Sequence, residues 1–214
     1  MSPTPPSVRS VKIGSDERGG WTTDRPPREG DAPPRPVDVS ARCRVLSPSD
    51  RLRYSPGSLL LIVSADPAES ARFAERVVEE RGAVLSLAKV RTLLAGRVAE
   101  EEIEARAREL LDAAVVKRLG ERQTIVLALE DLDAGERERY VRLAHGLKRP
   151  RHLILLETPR EQVPEEQRAT LNELRRELDA GEVGQEGFQT ALRLGGSAMS
   201  ELKRIVFQPP PRED

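Results

Sequence analysis

The chain has 214 residues, 37% hydrophobic and 33% charged, with 35 basic and 36 acidic side chains and a formal charge of −1. That length fits one full domain rather than two large ones, and the balanced charge gives no overall pull toward nucleic acid or a membrane surface. Aromatics at 3% argue against a base-stacking platform, the single Cys43 excludes an intrachain disulfide, and His145 and His152 alone cannot form a histidine metal cluster.

Residues 1–36 hold eight of the 17 prolines and four glycines. So few large apolar residues interrupt them that the stretch cannot build a core. It reads as an extended arm, whose anchors for a protein partner are Val8, Val11, Ile13 and Trp21. The chain begins without an apolar signal-peptide core and contains no apolar run near the roughly 18 residues of a membrane span. The cytoplasm, or a particle assembled there, is therefore the expected location.

From Val37 to Val45 apolar and polar residues alternate, which predicts a half-buried strand at a sheet edge. Turns are expected at 47–50 and 55–57. Ser58–Val63 is a continuous apolar run, as in a strand covered on both faces. Asp66 caps a helix expected to run to about Arg81, with Pro67 at its first position and Gly82 as its stop. A short strand at 83–86 and a long charged helix from about Ala99 to Leu119 follow. Then come a strand at 124–129, a helix at 135–147, a strand at 152–156, a helix at 164–178 and a last strand at 205–207. Strands separated by helices predict a three-layer, doubly wound, mainly parallel α/β sheet over 37–207, with a short tail at 208–214.

Ligands of such sheets bind beyond the carboxyl ends of the strands, and the first such end runs from Ser64 to Ala71. A phosphate-binding loop needs G-x-x-x-x-G-K-[ST], for close backbone approach, a lysine on the phosphates and a hydroxyl on magnesium. Laid on that pattern, the two glycines are Ser64 and Glu69, the lysine is Ser70 and the hydroxyl residue is Ala71. Glu69 brings a negative charge that would repel a phosphate by roughly 4 kcal/mol at 4 Å and an effective dielectric near 20. The loop is expected at the surface, with few core contacts.

The order of these segments resembles the kinase domain of bacterial polynucleotide 5′-hydroxyl kinases and related P-loop kinases. The resemblance runs through LLLIVSADPAESARFAERVV (59–78), AVLSLAKVRTLL (83–94), EEEIEARARELLDAAVVKRL (100–119), TIVLALEDLD (124–133), RHLILLETPREQVPEEQ (151–167) and QEGFQTALRL (185–194). It implies a P-loop fold and marks the losses. The family's acceptor-side aspartate, a general base, falls at Ala88, and its D-A-T-N falls at Leu127–Glu130. Its lid survives as Val163-Pro164, with Arg160 before it and Arg168 and Arg175 on the following helix.

Two readings of chemistry stay open. Glu130 and Asp131, just after an apolar strand, suit magnesium or a solvated strand end leading into a helix cap. Arg91, Arg160, Arg168 and Arg175 suit an anion or an exposed charged surface. The sequence therefore points to a degenerate, non-enzymatic kinase-like domain without a cofactor, which serves as a scaffold and binds a protein partner through its arm. A phosphotransferase with an unconventional site, or a regulatory phosphate-binding module, is the alternative.

Overall fold

The computed structural model describes residues 37–209. The arm anchors Val8, Val11, Ile13 and Trp21 lie outside the described residues, as do residues 210–214. The strands are β1 (Arg44–Val45), β2 (Arg51–Tyr54), β3 (Leu59–Ser64), β4 (Val84–Ser86), β5 (Ile125–Ala128), β6 (Arg151–Leu156), β7 (Thr190–Leu194) and β8 (Arg204–Phe207). The helices are α1 (Pro67–Val77), α2 (Leu87–Leu94), α3 (Glu100–Gly120), α4 (Ala134–Gly146), α5 (Glu165–Ala180) and α6 (Ser197–Glu201).

Six strands form one sheet in the order β1-β7-β6-β3-β5-β4, and every pairing in it is parallel. The LLLIVS run lies at the centre with all six residues buried, because both of its faces are covered. Leu59, Leu61 and Val63 pack with Ala107, Leu111, Val115 and Leu119 of α3 and with apolar residues of α4 and α5. Leu60 and Ile62 face the other way, onto Phe73, Ala74 and Val77 of α1. The chain steps outward from β3 to β4, then returns through β5, β6 and β7 in the opposite direction. Right-handed crossovers therefore put α1 on one face and α3, α4 and α5 on the other. The connections from β3 and β5 leave in opposite directions, so the crevice between their carboxyl ends is the usual ligand position in such sheets.

The predicted α/β architecture is present, with several differences of extent. The segment expected as a strand from Val37 is paired only at Arg44–Val45, as the edge strand beside β7. Before that it lies across the α5–β7 connection, where Gly184 and Gly187 leave room. A Cβ on Gly184 would stand 2.3 Å from the Ala41 carbonyl oxygen, and Gly187 adopts φ +105°. Helix α1 stops at Val77 rather than Arg81, because the buried Val78 takes an extended conformation and bridges Ile205. The last strand, β8, does not join the main sheet. It pairs with β2 in a separate two-stranded parallel sheet that covers the α1 face.

That small sheet closes over a buried polar residue. Tyr54 of β2 lies 4.5 Å, centroid to centroid, from the His152 ring. His152 Nδ1 is 2.8 Å from Thr190 Oγ1 and its Nε2 is 3.3 Å from Ser58 Oγ. Burial, helped by the neighbouring Arg151 charge, pushes the His152 pKa from 6.5 down to about 4. The folded chain thus holds this imidazole neutral, while the unfolded chain takes up a proton first as pH falls. The stability it contributes is complete above about pH 6.5 and is lost as pH falls through about 4, up to ~3 kcal/mol in all. Denaturant titrations between pH 7 and 4 should show a shallower loss of stability in His152→Gln than in the wild type. Parallel pH profiles would contradict this reading.

Candidate functional site

Ser64, the last residue of β3, is fully buried. Its hydroxyl donates to Glu69 Oε2 at 3.1 Å, accepts the Asp66 amide at 3.1 Å and lies 3.0 Å from Thr158 Oγ1, just beyond β6. Asp66 caps α1 as the sequence predicts: its Oδ1 accepts the Ala68 amide at 2.9 Å, and the Glu69 amide donates to its carbonyl at 3.0 Å. The amides of Asp66, Ala68 and Glu69, which a phosphate would need, are thus already donating within the loop. Arg72 is the basic side chain here, and its guanidinium is paired with Asp66 Oδ2 at 3.0 Å.

The expectation that this loop lies at the surface with few core contacts holds only in part: Pro67 and Ala68 are exposed, but its two ends are not. Ser64, Ala65 and Ser70 are all buried, while Ala71 is half-buried. The first turn of α1 packs onto the sheet, and Ser70, at the lysine position of the pattern, points into that packing rather than toward a ligand. Ala88, at the acceptor-base position, is exposed on α2, a helix that the sequence reading missed.

The four candidate arginines do not form one group. Arg91, on α2, donates to Glu104 and to Glu130, each at 2.6 Å. These hydrogen bonds, Glu104 first, raise its pKa above the ordinary arginine value. Arg160, Arg168 and Arg175 do converge, lining a cleft of about 370 Å³ with Val163, Leu171 and Asn172. Arg160 and Arg168 are exposed there. Arg175 is half-buried and tied back: its Nε donates to Glu157 at 3.0 Å and its Nη1 to Asn172 Oδ1 at 3.1 Å. Glu157, which the sequence reading did not single out, also pairs with Arg193. Burial opposes its ionisation, yet the hydrogen bonds from Arg175 and Arg193 outweigh burial and hold its pKa below the usual carboxylate range. Glu157 and Thr158 are consecutive, so the residue that holds Arg175 adjoins the one that meets Ser64.

The acidic pair is occupied as well. Glu130 is held by Arg91, and Asp131 Oδ1 accepts the Asp133 amide at 2.8 Å. Asp133 in turn caps α4 by accepting the Glu136 amide, so the geometry favours the strand-end-to-cap reading of these residues. Among the described residues no three His, Cys, Asp or Glu side chains are grouped to hold a metal ion.

If the Ser64 hydroxyl organises the loop, Ser64→Ala should cost about 1–3 kcal/mol in urea denaturation, because it strands Thr158 and the Asp66 amide. Unchanged stability would show that these hydrogen bonds hold nothing together.

No family profile matches this sequence, and no curated protein matches it. Among solved structures the fold is similar to one described as a "putative kinase" from Chloroflexus aurantiacus J-10-fl. The two are 9% identical, with a TM-score of 0.39, over 66% of this chain and 86% of that one. The α/β assignment rests on the strand order and pairings above rather than on this likeness. Among the described residues no helix is long and apolar enough to cross a membrane.

Proposed function

We propose that this chain is a non-catalytic kinase-like α/β domain that acts by binding rather than by phosphoryl transfer. The observation that carries the reading is the Glu69 carboxylate, fixed by the Ser64 hydroxyl inside the loop where a triphosphate would sit. A phosphate entering there would meet a negative charge and amides that already have acceptors. The missing carboxylate at Ala88 removes the acceptor-side base as well. In this proposal the domain is a scaffold, the arm residues Val8, Val11, Ile13 and Trp21 engage a protein partner, and the assembly is cytoplasmic.

A second reading, a regulatory phosphate-binding module, is favoured by one observation: Arg160, Arg168 and Arg175 line a single cleft. An anion would bind there to Arg160 and Arg168 and compete with Glu157 for Arg175.

Isothermal titration separates the readings. The scaffold proposal predicts no binding of ATP with or without magnesium, and a micromolar Kd would overturn it. The phosphate-module reading predicts that Glu157→Gln, which releases Arg175, tightens inorganic pyrophosphate binding about tenfold, a gain near 1.4 kcal/mol. It also predicts that Arg160→Ala together with Arg168→Ala abolishes that binding. Pyrophosphate affinity indifferent to all three changes would remove the second reading.

A further inference from the structure

At the amino end of the main sheet, opposite the β3 loop, the turns that lead into β3, β4 and β5 surround a cleft of about 500 Å³. Pro56, Gly57, Glu80, Arg118, Arg122 and Phe207 are among its lining residues. Arg118 reaches over from α3, and its Nη1 donates to the Gly82 carbonyl at 2.5 Å, which fixes the guanidinium at the cleft wall. Arg122 adopts φ +62°, and its carbonyl oxygen packs so closely on Gly57 that a Cβ there would stand 2.8 Å away. The same Cβ would lie 3.5 Å from Arg149 Nη1, so a third guanidinium stands beside that turn. Arg149 Nε is buried without a hydrogen-bond partner. Among the described residues no carboxylate forms an ion pair with Arg118, Arg122 or Arg149. Elsewhere Arg91, Arg137, Arg139, Arg175 and Arg193 each have one. Three arginines without acids, gathered at one cleft, leave a positive field with nothing of the chain to meet it.

We propose that this cleft binds an acidic peptide segment of a protein partner, with carboxylates on Arg118, Arg122 and Arg149 and an apolar side chain against Phe207 and Pro56. Charge complementarity selects the sign of the occupant, since Glu80 is the acid in the lining and the three guanidinium groups outweigh it. The backbone selects carboxylates over a phosphate. Phosphate sites are built on free backbone N–H groups, and here those groups are taken. The Gly57 amide donates to Thr124 Oγ1 at 2.9 Å. The amides of Ala83, Arg122 and Gln123 donate to the carbonyls of Glu80, Leu119 and Arg118. What remains is a set of side-chain forks on separate segments, which suits carboxylates spaced along an extended chain. Pro56, Glu80, Gly82, Arg122 and Gln123 are all exposed, so the cleft would not enclose a small ligand as a cofactor pocket does. A few charged contacts on an open surface give a weak interaction, with a Kd near ~100 µM. The site depends neither on the chemistry of the β3 loop nor on the arm.

Fluorescence polarisation of the full chain with a labelled peptide of sequence Glu-Asp-Leu-Glu-Asp tests this. The peptide should bind saturably, and the same peptide with every acid replaced by lysine should not. Arg122→Asn removes the charge with a residue that tolerates positive φ, and should weaken binding about tenfold with the melting temperature unchanged. Glu80→Gln, which removes the repelling acid, should tighten binding about threefold. Amide shifts on titration should appear at residues 82, 83 and 122–124 and not at 64–66. No saturable signal at about 1 mM chain, an affinity indifferent to Arg122→Asn and Glu80→Gln, or shifts confined to other surfaces would each overturn the proposal. So would displacement of the peptide by micromolar inorganic pyrophosphate, which would make the cleft a phosphate site. Pyrophosphate held by Arg160 and Arg168 would leave the peptide bound, so the two clefts are distinguished.

Discussion

At the carboxyl end of the central strand, one buried hydroxyl serves three partners. Ser64 joins the Glu69 carboxylate, the Asp66 amide and the Thr158 hydroxyl, and so ties β3, the first turn of α1 and the segment after β6 into one closed corner. A glycine at this position would leave the corner open to a ligand. The serine closes it, and Glu69 on the adjoining turn makes it acidic. The reading of the domain as catalytically silent depends on this exchange of ligand contacts for internal ones.

The corner also directs what lies beside it. Thr158 is anchored to Ser64, so its neighbour Glu157 is carried to the edge of the arginine cleft, where it holds Arg175 and Arg193. Removing one partner of a half-buried ion network costs more than an exposed pair is worth, because the remaining charge stays partly desolvated. The cleft therefore has two arginines turned toward solvent and one held in reserve by Glu157. The Arg91–Glu104–Glu130 bridge does the corresponding work on the other side of β3, where α2 and α3 meet the end of β5. On either side of the β3 corner a strand-end glutamate, Glu157 or Glu130, is thus held by arginine.

Much of this was legible in the chain. The LLLIVS and HLILL runs announced strands covered on both faces, and Asp66-Pro67 announced the start of α1. The triplet Arg160, Arg168 and Arg175 was legible because a short lid segment and a helix with seven-residue spacing place the three side chains together. What stayed hidden depended on contacts distant in sequence. β2 is only four residues between two turns, and its strand character comes from pairing with β8, about 150 residues away. β7 carries Arg193 in its middle, which interrupts the apolar run but is accommodated by Glu157 and Asp179. Arg91 looked like a member of the arginine set until the fold brought Glu130 to it. The burial of Ser70 was equally invisible, since a serine near a helix start reads as surface.

The central claim, that the β3 loop is filled by its own side chains, is tested most directly by amide chemical-shift mapping with magnesium–ATP. The account predicts that the amides of residues 64–66 and 68–71 keep their shifts at millimolar nucleotide. Saturable shifts at Asp66, Ala68 and Glu69 would show those donors leaving their internal acceptors for a phosphate and would contradict it.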